Sequence, residues 1–139
     1  MVARSPRFAL TEEHIPEHST QRTIVGVMRL EIGAEGKISP DGVTWFCVDH
    51  ATGDYETLGQ RTGRGIPSGI FDLVVLYQAR AFWIEIKRRD GTLSDPQRSM
   101  AATLLLSGCR IGVARDEGEV LACLDEWQIP RRRRVKVAA

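Results

Sequence analysis

The sequence predicts an α/β domain with a mixed central sheet flanked by helices. Three observations carry that expectation. The runs Gly69-Ile70-Phe71-Asp72-Leu73-Val74-Val75-Leu76 and Phe82-Trp83-Ile84-Glu85-Ile86-Lys87 are short, apolar and rich in β-branched or aromatic residues, which is strand composition. Near their connection both faces of this pair are apolar, as expected of strands at the centre of an α/β sheet. Helical stripes and further short strands surround the pair in the order α-β-β-β-α-β-α, where a crossover helix joins strands of one sheet. At 139 residues the chain is one domain with room for a substantial core.

The elements follow in order. Residues 1–14 lack periodicity and form a flexible arm, and residues 15–130 form the domain. A helix starts near Pro16, a good first-turn residue, and Gly33 ends it. Glu17, Gln21, Ile24 and Met28 share one of its faces. Gly33 to Gly42 is a loop, and Val43 to Val48 is a strand with Trp45 and Cys47 on one face. Residues 49–69 make a long polar, Gly-rich connection, a length that is usually functional or disordered. After the two central strands, Ser94-Asp95-Pro96-Gln97 reads as a helix start: a serine N-cap, a first-turn proline, and glutamine at the capping-box position. Met100, Ala101, Leu104 and Leu105 form that helix's buried stripe, and Gly108 ends it. Ile111 to Ala114 is a strand. Val120, Leu121, Leu124 and Trp127 give a last helical stripe, closed by Pro130. Residues 131–139 are a basic tail lying outside the core.

Only Tyr77, Gln78, Ala79, Arg80 and Ala81 separate the two runs, so a hairpin is the simplest connection. A symmetric two- or four-residue loop sets Asp72 opposite Glu85, with Cβ atoms about 5 Å apart. Gln78-Ala79 is poor two-residue turn chemistry, because neither residue favours positive φ, so a four-residue loop is expected. Phe71, Leu73 and Val75 then pair with Ile86, Ile84 and Phe82 on a wholly apolar face. The other face is covered near the turn and open at the Asp72 end. Lys87 shares the face of Glu85. Two facing carboxylates repel unless a divalent cation lies between them, which is the chemistry of an Mg²⁺ site handling phosphate.

The net charge of +1 excludes little, but its distribution is uneven. Arg131-Arg132-Arg133-Arg134 with Lys136 is a cationic cluster, and Arg61 and Arg64 sit in the Gly-rich connection. The three cysteines, Cys47, Cys109 and Cys123, are widely spaced in apolar runs and read as buried free thiols, which fits a reducing cytoplasm. No Cys/His cluster has zinc spacing, and no segment reads as a signal peptide or membrane helix. His14, His18 and His50 show no ligand spacing. Trp45, Trp83 and Trp127 read as core.

The ordered set Gly69-Ile70-Phe71-Asp72, Ile84-Glu85-Ile86-Lys87 and Gly91-Thr92-Leu93-Ser94-Asp95-Pro96-Gln97, followed by a helix, a glycine and the Val-Ala-Arg strand up to Arg115, resembles the VRR-NUC branch of the PD-(D/E)XK nuclease superfamily. The resemblance spans roughly residues 17 to 127. Phe71 stands where that family has proline, and Asp49-His50-Ala51 stands where it often has Asn-Gly. The resemblance implies a restriction-endonuclease-like αβββαβ core. It implies a metal-dependent endonuclease selective for branched DNA, such as four-way junctions or flaps, in a small phage or bacterial protein that is often a homodimer. It also implies that Asp72, Glu85 and the backbone carbonyl of Ile86 hold Mg²⁺ or Mn²⁺, with Lys87 orienting the attacking water or steadying phosphorane charge. Glu17 resembles the helix-borne acid that reaches the metal through water, and Gln97 the family's glutamine near the lysine.

Plainer readings stand beside these. Lys87 could form an ordinary ion pair with either acid. Glu17 could only complement the helix dipole, and Glu12 and Glu13 compete for its role. Gln97 could be only a capping-box residue. Arg61 and Arg64 could grip phosphates or belong to a solvated loop. Arg131 to Arg134 could bind DNA non-specifically or dock on the acidic last helix. As a whole, the chain could instead be a catalytically silent DNA-binding module, or a nuclease acting on another nucleic acid.

Overall fold

The computed structural model describes residues 17–48, 63 and 65–132. Helix α1 (Glu17–Glu31) places Thr20, Ile24, Met28 and Glu31 on one buried stripe at helical spacing. Glu17 in its first turn and Arg29 in its last complement the helix dipole. Strand β1 (Thr44–Cys47) follows, and Trp45, fully buried, anchors the intervening loop by donating its indole N–H to the Gly33 carbonyl at 2.8 Å. Strands β2 (Leu73–Tyr77) and β3 (Arg80–Ile86) form the hairpin. Helix α2 (Asp95–Leu106) crosses over to β4 (Arg110–Ala114), and α3 (Glu117–Glu126) closes the order.

The sheet runs β1-β2-β3-β4. The first three strands are antiparallel and β4 is parallel to β3, as a crossover helix requires. One face buries Trp45, Leu73, Val75, Phe82, Ile84 and Ile86 against Ile24 and Met28 of α1 and Val120 and Leu124 of α3. Trp83 alternates to the opposite face, where it meets Ala101 and Leu104 of α2. The described elements thus form a four-stranded mixed sheet flanked by three helices. Among the described residues no helix is long and apolar enough to cross a membrane. The three cysteines are free and half-buried.

The hairpin keeps the expected register, with Leu73 facing Ile84 and Tyr77 facing Arg80. Its turn does not follow expectation. It is a two-residue turn whose central residues, Gln78 (φ 49°) and Ala79 (φ 60°), both sit in the left-handed region. The right-handed twist of the strands favours that turn and outweighs a penalty of about 1 kcal/mol for each residue. The open end of the hairpin is also reversed. Leu76 beside the turn is 39 % exposed, whereas Asp72 and Glu85 are buried. Helix α2 brings its first turn over the acids and leaves the turn end bare. Phe71 does not share the face of Leu73; it packs with Ala101 and Leu104 under α2. On α2 the buried stripe is Ala101 and Leu104, with Met100 partly buried, while Leu105 is 54 % exposed.

The chain after α3 is also not a free tail at its start. Arg132 N–H donates to the Glu31 carbonyl at 2.7 Å. Arg131 grips both carboxylate oxygens of Asp125 and reaches the buried Glu31 carboxylate at 3.3 Å. Docking on the acidic last helix, not solvation, describes Arg131. Residues 133–139, with Arg133 and Arg134, lie outside the described residues, as do His50, Arg61 and Arg64.

Candidate metal centre

Three separate elements deliver carboxylates to one point at the end of the sheet. Glu17 comes from the first turn of α1, Asp72 from the residue before β2, and Glu85 from the penultimate position of β3. One oxygen from each lies within 4.8 Å of the others. Glu17 is exposed, whereas Asp72 and Glu85 are buried. Lys87 is also nearly buried, with its Nζ 3.5 Å from Glu85 Oε1.

Asp72 is fixed by the backbone on both sides. Its carbonyl accepts from Val48 N–H at 2.8 Å, and its Oδ2 accepts from Ile86 N–H at 2.8 Å. The side chain therefore takes the Ile86 donor where the β2–β3 ladder has ended, and ties the start of β2 to the end of β3. Ile86 meets the acids through this N–H; its carbonyl as a ligand remains an expectation from the resemblance.

Glu85 carries the electrostatic strain. Its Oε1 accepts from Gln97 Nε2 at 2.6 Å. Its Oε2 is buried and has no hydrogen-bond partner. Burial, and then the charge of Asp72, push its pKa up to about 8, and Lys87 opposes them only in part. A buried polar oxygen left without a partner costs about 1–3 kcal/mol. A hard divalent cation between the acids satisfies that oxygen and removes the repulsion, so the residues present fit a magnesium-like ion.

The surroundings hold these groups rigidly. Gly69 (φ +78°) lets the backbone before Asp72 lie against the first turn of α2. A Cβ there would strike the Pro96 carbonyl and fall 2.7 Å from Gln97 N. Gly91 packs on Lys87 in the same way; a Cβ would come 3.3 Å from the lysine stem. Arg115 holds that turn by donating to the Gly91 carbonyl at 3.1 Å. Cys47 stands nearby, its thiol pushed up by burial and by Asp72 and drawn down by a hydrogen bond with Gln21.

Of the residues singled out from sequence, Glu17, Asp72, Glu85, Lys87 and Gln97 converge here. Arg131 does not; it is spent on Asp125 and Glu31. Gly69 and Gly91 stand in the sequence motifs, but their close approaches to α2 and Lys87 escaped sequence reasoning, as did the neighbourhood of Cys47, since each depends on tertiary packing. Ser94 was visible as a cap, but not as a partner of the acids through Gln97. No family model, curated protein or solved structure matches this chain.

Proposed function

We propose that this protein is a metal-dependent DNA endonuclease with a restriction-endonuclease-like core, selective for branched DNA such as four-way junctions or flaps. The observation that carries the reading is the convergence of one carboxylate oxygen each from Glu17, Asp72 and Glu85, where buried Glu85 has Lys87 beside its Oε1 and an unpartnered Oε2. The choice of DNA, and of branched DNA in particular, rests on the resemblance of the three ordered motifs.

In this reading Asp72, Glu85 and the Ile86 carbonyl hold Mg²⁺ or Mn²⁺, and Glu17 reaches it through water. The ion, when bound, supplies Lewis acidity toward a phosphate oxygen and makes a bound water more acidic. Asp72, locked by Val48 and Ile86, and Glu85, locked by Gln97, present their carboxylates without reorganisation. Lys87 contributes a point charge next to Glu85, suited to orienting the attacking water or meeting charge that builds on phosphorus oxygens. Burial of both groups keeps their fields strong.

The test is a panel of linear, flap, splayed and four-way-junction DNAs incubated with Mg²⁺ or Mn²⁺ and with chelator. The expected result is cleavage that is greatest on a branched substrate, abolished by chelator and abolished by Glu85→Ala in a folded protein. Cleavage by Glu85→Ala at the wild-type rate would sink the reading. Tight binding across the panel with no cleavage in either metal would identify a silent DNA-binding module instead.

A further inference from the structure

The first turn of α2 treats the two oxygens of Glu85 unequally. Ser94 Oγ accepts from Gln97 N–H at 3.3 Å, and Gln97 Oε1 accepts from Ser94 N–H at 2.9 Å. This reciprocal pair is a capping box. With its oxygen committed to Ser94, the Gln97 amide must turn its NH₂ outward, and Nε2 donates to Glu85 Oε1 at 2.6 Å. The reverse amide orientation would set oxygen against carboxylate and NH₂ against N–H, so the chemistry of the partners dictates this one. Lys87 Nζ lies on the same oxygen. Oε2 is left buried and without a partner. The backbone at Gly69, pressed on Pro96 and Gln97, braces the arrangement from the side of Asp72.

We propose that the α2 capping box is a selectivity lock: Ser94, acting through Gln97, presents Glu85 to the cation through Oε2 alone and so favours a small octahedral ion over calcium. The inference rests on the metal-dependent reading above. Calcium takes about six to eight oxygens and readily uses both oxygens of one carboxylate, whereas magnesium-like ions demand near-octahedral geometry and keep several waters. Bidentate use of Glu85 requires breaking the bond to Gln97 and displacing Lys87. Ser94 is therefore a positioning residue, since it touches no ligand atom.

Calorimetric titration of the full-length protein with Mn²⁺ and, separately, Ca²⁺ tests this without reference to cleavage. Gln97→Ala should weaken Mn²⁺ binding by about 10–100-fold, the usual effect of losing a partner of a metal ligand. Ser94→Ala should weaken it by about tenfold, at the lower end of that range. In both variants Ca²⁺ should lose less, so that the Mn²⁺/Ca²⁺ affinity ratio falls. Ser94→Thr, which keeps the hydroxyl, should restore the wild-type ratio. Ala102→Gly, on the exposed side of α2, supplies a helix-weakening control that should lower the melting temperature while leaving both affinities unchanged. An unchanged ratio in folded Ser94→Ala and Gln97→Ala, or an equal loss in Ala102→Gly, would overturn the lock. Wild-type protein that binds neither ion would remove the metal reading and the lock together. Mn²⁺ binding that is lost in Asp72→Ala and Glu85→Ala, with an unchanged ratio in the Ser94 and Gln97 variants, would remove the lock alone.

Discussion

At the scale of single residues, Glu85 is 1 % exposed, and the charge of Asp72 works against its ionisation. Without an ion, its pKa is raised from an ordinary 4.5 to about 8. Between those values the folded protein holds a proton that the unfolded chain has released. Stability of the chelated protein should therefore fall as pH rises through that window and level off above it. Melting temperatures across the window, with chelator, should show this decline, and Glu85→Gln should flatten it. Metal binding competes with the same proton, so affinity for Mn²⁺ should rise over the same range. Gly69→Ala should cost about 1–3 kcal/mol, because it combines a left-handed φ with a collision against Pro96 and Gln97. It should weaken Mn²⁺ binding as well, which a loop substitution remote from the acids would not. The acids themselves were legible because strand side chains alternate, and the register follows once the turn is placed. The packing at Gly69 was not, since nothing local signals that a helix end lies against it.

At the scale of elements, the hairpin shows where propensity gives way. Gln78 and Ala79 disfavour positive φ, and their composition argued for a longer loop. The twist of two buried strands imposed the tight turn regardless. Replacing Gln78-Ala79 by Asn-Gly should relieve that strain and raise stability by about 1 kcal/mol or more, read as a higher melting temperature. Metal affinity should not change, because the turn lies at the opposite end of β3 from Glu85. The capping box of α2 was legible as a local pattern, and it forms as expected. Its bond to Glu85 was not, because that depends on how α2 docks. The same docking decides which end of the hairpin is covered, and strand periodicity cannot supply it. The end of the chain gives a parallel case. Arg131 reads as part of a basic tail, yet its partner Glu31 is 100 residues away in sequence. Arg131→Ala should cost about 1–2 kcal/mol, between the value of an exposed pair and that of a buried one, measured by denaturant unfolding.

At the scale of the whole molecule, the three described helices and the mixed sheet serve mainly to bring α1, β2 and β3 to one corner. The element order was legible from periodicity and caps, because each stripe or alternation is long enough to declare itself. Two larger expectations remain proposals. A basic segment from Arg133 onward would add salt-dependent DNA affinity; deleting residues 133–139 should lower the slope of log K against log salt by roughly 0.9 per lost phosphate contact. Removing those residues should spare the melting temperature, since the ion pairs of Arg131 stay in place. A homodimer would supply two symmetric cuts on a four-way junction, and sedimentation at working concentration with and without DNA checks it.

The most direct measurement is an anomalous difference map from crystals grown with Mn²⁺. A manganese peak is expected at the meeting point of Glu17, Asp72 and Glu85, within about 2.0–2.6 Å of an oxygen from each buried acid. The peak should be absent in Glu85→Gln crystals. No peak there in the wild type, or a manganese site elsewhere with these three carboxylates unengaged, would contradict the account.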